Sequence, residues 1–355
     1  MVMKPTVIPL KEPDAPPKKW WALFAAVLFL GLGYLVVQRL LTPQRSPDDI
    51  TSAEIVDATP EMQWVPRGGG NSTSGEGSRG AGGVPSVLVK VEPGADRKSD
   101  LFPNAITNYF EEFPPETAQH PLDPALEVAQ TGLDRLQTIK GYQAEITKRE
   151  RLKGTLAKAE TMEAKIRRPI AEKENTRVPF SVYLRFLSPK SVAGREVLWV
   201  EGRDQNKMLV REAGLFGVIP LSLPPDGMLA MSGSRYPIWE IGFDVLIKRM
   251  IEKGTRDRKI GDCLVRVDRW VELDGRPCTL IAIEHPEFRE GFDFQKAEIV
   301  IDDELNIPIH YAAYDFPETE GGRPLLLEQY TYRDVVLDIE FTETDFDRNN
   351  PEYGF

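Results

Sequence analysis

Three histidines are the scarce catalytic resource of this 355-residue chain: His120, His285 and His310. A general base or zinc ligand needs partners at set spacings. No HExxH, CxxC or GxSxG pattern is present, and each of those works by placing its members on one local element. The Gly run 68–70 lacks the Lys-Ser/Thr pair of a phosphate loop and lies in a Gly/Ser stretch. His310 falls inside an apolar alternating run and reads as a strand residue. The carboxylates Asp302, Asp303 and Glu304, with Asp345 and Asp347 nearer the end, are the other candidates. Paired acids bind hard cations or transfer protons, but IDDELN sits between two predicted strands, where acids form a solvated turn. The sequence therefore predicts no catalytic residue, no metal ligand and no cofactor; a hydrolase using His285 or His310 ranks third among the functional readings.

The two cysteines are Cys263 and Cys278. Between them runs a predicted strand and an Asp274-Gly275 hairpin turn. Pairing Leu273 with Arg276 sets Cys278 opposite Val271, which leaves Cys263 ~26 Å away at ~3.3 Å per residue. A disulfide needs Cα atoms within ~7 Å, so two free, buried thiols are expected.

The segment 215–233, LFGVIPLSLPPDGMLAMSG, has more to offer as a binding element. Its prolines forbid a long helix or central strand, yet Leu215, Phe216, Val218, Ile219, Leu221, Leu223, Met228, Leu229 and Met231 are too apolar for an exposed loop. It is expected either to plug a sheet permanently or to act as a movable lid over an acyl-chain cavity, a role for which adaptable methionines suit. Phe186, Trp199 and Met208 from strands, with Trp239, Phe243, Leu246 and Met250 from the following helix, are the expected lining. Arg235 and Tyr236 at the junction are expected either to meet a headgroup or to cap that helix with the arginine in solvent.

Stepping outward, DPALEVAQTGLDRLQTIKG (123–141) predicts an amphipathic helix capped by Asp123, with Leu126, Ala129, Leu133, Leu136 and Ile139 on one face and Gly141 ending it. The period then becomes two. Strands are predicted in GYQAEITKRERL, TMEAKIRR, SVYLRFLSP, REVLWVEG and KMLVRE. A second set follows in CLVRVDRWVEL, RPCTLIAIEH, KAEIVIDD, IPIHYAAYDF and PLLLEQYTYRDVVL. Between the two sets, IWEIGFDVLIKRMIEKG (238–254) predicts a mostly buried helix whose polar row is Glu240, Asp244, Lys248 and Glu252.

Residues 1–45 carry six basic groups against two acidic ones, so the whole-chain charge of −11 leaves the remainder strongly acidic. Such a balance opposes nucleic-acid binding, which needs concentrated Lys and Arg. Nineteen uncharged residues, Trp20 to Gln38, would span ~28 Å as a helix, close to a bilayer core. Basic residues lead the run and no small-x-small cleavage site follows it, which favours an uncleaved anchor over a signal peptide. The expected organisation is a cytoplasmic tail (1–19), a transmembrane helix (20–41), a flexible Pro/Gly/Ser-rich linker (42–122) reaching ~50 Å, and a folded domain (123–355). Near the linker's end, LFPNAITNYFEEFPPE (101–116) is expected either to dock on the domain or to be a disordered tail.

This order of elements is similar to the LolA-type lipoprotein-carrier superfamily, in which a half-closed barrel wraps a hydrophobic cavity. FSVYLRFLSPKSVAGREVLWVEG (180–202), DGMLAMSGSRYPIWEIGFDVLIKRMIE (226–252), IDDELNIPIHYAAYDFP (301–317) and DRNNPEYGF (347–355) resemble a membrane-anchored, planctomycete-type family of unknown function with that fold. The resemblance implies an α+β domain: a curved antiparallel sheet of about ten to eleven strands with an N-terminal helix and the apolar insert on its concave side. With the N-terminus placed in the cytoplasm by the lysines that precede the apolar run, the expectation is a non-enzymatic protein of the inner membrane, its C-terminal domain periplasmic, binding a lipid or acylated polypeptide, with an envelope protein as a further partner. The alternative is a ligand-free envelope sensor or scaffold. The carriers of that superfamily diffuse freely, whereas this chain carries an apparent anchor.

Overall fold

A computed structural model describes residues 109–355, except 111, 116–117, 172–176, 215–218 and 320, and the backbone of 65–66 and 88–90. The expected transmembrane helix, the cytoplasmic tail, most of the linker, and Leu215, Phe216 and Val218 lie outside the described residues. Among the described residues, no helix is long and apolar enough to cross a membrane.

The strands are β1 (Val65–Pro66), β2 (Leu88–Lys90), β3 (Gly141–Leu152), β4 (Thr155–Leu156), β5 (Glu160–Arg167), β6 (Ile170–Ala171), β7 (Arg177–Val178) and β8 (Ser181–Ser188). There follow β9 (Glu196–Val200), β10 (Met208–Arg211), β11 (Leu221–Leu223), β12 (Leu264–Leu273), β13 (Arg276–Glu284), β14 (Lys296–Asp302), β15 (Ile307–Asp315) and β16 (Leu325–Leu337). Helix α1 is Asp123–Leu136 and α2 is Phe243–Ile260. One sheet runs β1-β2-β12-β13-β14-β15-β16-β3-β5-β8-β9-β10-β11, with β4 on β3 and β6-β7 apart. Its pairs are antiparallel apart from β1 with β2, and its two ends do not pair with each other, so it stays open.

The ten long predicted strands all form. Sequence could not show how the two sets join: the last strand, β16, pairs with the first, β3, through Glu328↔Glu150 to Leu337↔Tyr142. The hairpin turns at Asp274 and Gly275 with φ 51° and 83°, and Val271 faces Cys278. Both cysteines are free and buried. The sheet also gains strands from the linker region, since Leu88–Lys90 pairs with β12. Of the segment 101–116, Phe110 is buried in the core and Phe113 is exposed; residues 101–108 lie outside the described residues.

The all-buried run β9 is covered on both faces. Val197 and Trp199 enter the main core, while Leu198 and Val200 pack with Phe346 on the other side. There the C-terminal segment lies on the sheet, with Tyr353 stacked on Tyr183 at 3.8 Å.

Both helices depart from expectation at their ends. Leu122, not Asp123, occupies the α1 N-cap position, and α1 ends at Leu136. The Asp123 carboxylate instead accepts the His120 N–H and pairs with Arg258 at 2.6 Å. The buried row is Pro124, Val128, Gly132 and Leu136, with Ala129 and Leu133 half-buried beside it. Helix α2 begins five residues later than expected. Ile238–Glu240 forms a separate 3-10 turn, and the break falls at Gly242, whose φ is 104°. A Cβ there would lie 2.3 Å from the Tyr142 hydroxyl, which accepts the Phe243 N–H at 2.9 Å and so caps α2 from the sheet. Tyr142 and Tyr332 hold the Phe243 ring at 4.7 and 4.5 Å.

Arg168 ties these elements together. It donates to the Ile139 carbonyl at 2.7 Å beyond the end of α1, and to the Leu136 carbonyl, and it pairs with Asp244 of α2 at 2.6 Å. Asp244 and Glu240 of the expected polar row thus take Arg168 and Arg249 as partners. Nor is α2 mostly buried: Phe243, Ile247 and Asp257 are, whereas Val245, Leu246, Met250 and Ile251 are half-exposed, because one flank of the helix borders an open cavity.

The acidic IDDELN turn is solvated only at Glu304, which stays exposed. Asp302 and Asp303 are buried. Asp302 accepts the Glu304 and Leu305 N–H groups at 2.9 Å each and pairs with Arg276, while Asp303 accepts the Thr279 hydroxyl at 2.8 Å. Each carboxylate replaces lost hydration with charge-assisted bonds that shape the turn.

Candidate ligand cavity

Strand alternation aims every second side chain of the first half-sheet at α2 and the 219–237 segment. Ile146, Met162, Leu184, Phe186, Val197, Met208 and Val210 converge there around a cavity of about 540 Å³. That volume lies within the ~300–1,000 Å³ range of small-molecule sites. Strands from β3 across to β11 on one side, and Tyr311, Tyr330 and Tyr332 on the other, border the same space, so the sheet wraps it. Helix α2 closes one flank with Val245, Leu246 and Met250, and the insert lies over the top with Leu221, Leu223, Pro225, Leu229 and Ala230. Leu221 and Leu229 line the cavity while remaining 47% and 68% exposed, so part of the mouth is apolar, while Arg195, Glu212, Glu240, Arg249 and Lys253 also line the space.

The cavity has a polar end. Glu150 and Glu328 are buried cross-strand partners. Glu150 accepts the Tyr330 hydroxyl at 2.5 Å and the Arg235 N–H at 3.1 Å, with Lys148 at 3.4 Å. Glu328 accepts the Tyr236 hydroxyl at 2.7 Å and pairs with the Arg235 guanidinium at 3.1 Å. Burial, and then the adjacent Glu328 carboxylate, pushes the Tyr236 phenol up to about 12, which keeps it a donor. Lys148 also reaches the Gly233 carbonyl at 3.0 Å. These bonds fasten the C-terminal end of the insert to the sheet.

Of the residues predicted as lining, Phe186, Met208, Leu221, Leu223, Leu229, Leu246 and Met250 border the cavity, as does Tyr236. Trp199 and Phe243 are buried in the core instead: Trp199 sits edge-on to Phe180, and Phe243 is clamped by the two tyrosines. Ile219 and Met228 point outward, 73% and 88% exposed. Met231 and Trp239 are half-buried beside the cavity without bordering it. Arg235 pairs with Glu328 at 3.1 Å and does not border the cavity. Sequence reasoning missed Glu150 and Glu328. Continuing the β3 alternation from Tyr142, Ala144 and Ile146 puts Lys148 and Glu150 on the same inner face, a signal that was available.

His285 and His310 occupy sealed positions, whereas His120 is half-buried ahead of α1, its Nδ1 accepting the Leu122 N–H at 3.1 Å. His285 lies beside a buried carboxylate, Nε2 to Asp257 Oδ2 3.7 Å, too long for a hydrogen bond. Its side chain is buried, stacked on Phe292 at 3.8 Å, and away from the cavity lining. His310 is buried in β15 with Nδ1 against the Thr331 hydroxyl at 2.8 Å. Burial, with Asp257 and Asp262 adding to it, pushes the Cys263 thiol up to about 12, and the Cys278 thiol is raised by burial as well. Both are therefore thiols rather than nucleophilic thiolates near neutral pH. Among the described residues, no group of three or more His, Cys, Asp or Glu side chains is placed to hold a metal ion.

An open antiparallel sheet wrapped around an apolar, lidded cavity defines a half-barrel of the ligand-cavity kind. The chain belongs to the DUF1571 family, described as a protein of unknown function, whose profile matches residues 139–355. It is similar to a putative outer membrane lipoprotein-sorting protein domain from Vibrio parahaemolyticus, with 12% identity, 63% of this chain and 96% of that one covered, and a TM-score of 0.30. It is also similar to a LolA superfamily protein from Nitrosomonas europaea, with 13% identity, 62% and 98% covered, and a TM-score of 0.25. A DUF1329 family protein from Desulfovibrio piger shows 11% identity, 65% and 98% covered, and a TM-score of 0.32. No curated protein matches the chain by sequence.

Proposed function

We propose that the protein binds a lipid or an acylated polypeptide in this cavity and serves envelope lipid or lipoprotein handling without covalent chemistry. Residues 20–41 anchor it in the inner membrane with the N-terminus cytoplasmic, and the folded domain works in the periplasm. The observation that carries this reading is the cavity of about 540 Å³ whose apolar lining continues outward onto the exposed Leu221 and Leu229. An apolar space of this size left empty forfeits dispersion contacts along its whole wall, and an acyl chain restores them while removing ~0.8 kcal/mol worth of hydrocarbon from water per methylene. The charged residues that also line the cavity, among them Lys148, Arg195, Arg249 and Lys253, offer partners for a polar headgroup. The burial of His285 and His310 and the protonated thiols support the non-covalent part.

The test is lipid extraction and native mass spectrometry of the full-length protein purified from membranes. Acyl ligand retained in stoichiometric amount supports the reading. A protein without bound lipid, which also takes up none from added vesicles, favours the ligand-free sensor or scaffold.

A further inference from the structure

A second, smaller space of about 50 Å³ lies beyond the cavity, between α1, α2 and strands β13 and β14. Leu126, Val128 and Gly132 of α1 face Ile281, Ile283 and Ile299 of the sheet across it. The two spaces have one lining residue in common, Met250 of α2. Its neighbours divide the flanks: Leu246 borders the large cavity, and Ile247 and Gly254 border the small one. Met250 is half-buried and packs against the cluster built from β13, β14 and β15. An unbranched thioether with three rotatable bonds therefore forms the partition between two apolar volumes.

We infer that Met250 is the chain-length gauge of the cavity: the acyl tail ends against its thioether, and its rotamer sets whether the tail extends toward the space under α1. This inference rests on the lipid-binding reading above. Methionine suits such a partition because it changes shape at little cost, whereas a β-branched residue would be locked on a helix. The space beyond is wholly of hydrocarbon scale. At ~30 Å³ for a water-sized group, it admits about two methylenes, and shortening residue 250 to alanine adds the volume of the thioether.

The experiment loads full-length wild type, Met250→Ala, Met250→Phe and the near-isosteric Met250→Leu with saturated fatty acids graded from decanoate to eicosanoate. Relative occupancy is read by native mass spectrometry. Wild type and Met250→Leu are expected to share one optimum length. Met250→Ala is expected to move it longer by more than about two carbons, the space beyond the partition plus the volume the thioether vacates, and Met250→Phe to move it shorter. Met250→Phe keeps the test alive if Met250→Ala is too unstable to load. A wild-type optimum that neither variant moves overturns the role of Met250 and leaves lipid binding standing. A wild type that takes up no fatty acid and carries no lipid overturns both.

Discussion

Glu150 of β3 and Glu328 of β16 stand directly opposite each other in the sheet, both buried, and both bond the same insert residue, Arg235, one through its backbone N–H and the other through its guanidinium. Like charges opposed across strands repel, so the pair depends on the cations beside it, Lys148 and Arg235. The insert is therefore held at two places, by the pairing of Leu221–Leu223 with β10 and by this clamp at residues 233–236, with residues 224–232 spanning between them. Arg235→Ala is expected to cost about 1–3 kcal/mol, toward the lower end because the arginine is 31% exposed. It should also speed amide exchange over 219–237. Unchanged exchange there would show that the clamp does not hold the insert.

The start of α2 makes a second prediction. Gly242→Ala places a methyl 2.3 Å from the Tyr142 hydroxyl at φ 104°. It should lower stability by at least ~2 kcal/mol through strain alone, measured by urea denaturation. Tyr142→Phe, which removes only the bond to Phe243, should cost about 1 kcal/mol. Near-equal losses in the two variants would argue against the steric account.

Stability should depend on pH through His310. Burial lowers its pKa from the ordinary 6.5 to about 4, so between those values the unfolded chain takes up a proton that the folded one refuses. The stabilisation is full above about pH 6.5 and falls as pH drops toward about 4, by about 3 kcal/mol in all. His285, also lowered by burial, acts in the same direction. His310→Asn should flatten this part of the profile, leaving the His285 and carboxylate contributions. A wild-type and variant pair with parallel profiles would refute the assignment.

The thiols supply a chemical check. Cys263 and Cys278 are buried and unpaired, and burial disfavours the thiolate in each. Both should resist an aromatic disulfide reagent in the native protein and react together after denaturation. Rapid release of one equivalent from the folded protein would place a cysteine at the surface.

Polar substitution separates the two faces of the insert. Met228→Gln, at a site 88% exposed, should change stability by less than ~0.5 kcal/mol. Leu223→Gln, packed against the core and bordering the cavity, should cost about 2 kcal/mol and reduce lipid uptake. Equal effects at the two positions would mean that the insert does not sit as described.

Much of the architecture was legible before any coordinates. The period-two runs from Gly141 to Leu152 and from Arg276 to Glu284 became strands almost residue for residue, since alternation is a local consequence of the pleat. The two separated cysteines followed from hairpin register in the same way. Helix ends were read less well, because Asp123-Pro124 and Gly141 look like local start and stop signals while the true start of α2 is set by a tyrosine a hundred residues away. Strand alternation brings Phe186 and Met208 to the cavity wall, whereas Trp199 and Phe243 lie in the core, where neighbouring rings pack on the same aromatic.

By itself, the sequence determined which segments are strands, which are helices and that an apolar insert separates two strand sets, because backbone sterics and hydrophobic period act over a few residues. Only the tertiary structure decided that β16 closes against β3, that Glu150 and Glu328 thereby meet in the interior, and that the insert leaves a cavity beneath it instead of filling it. Those outcomes depend on pairing across nearly two hundred residues and on the volumes of side chains brought together from eight strands, neither of which any local pattern encodes.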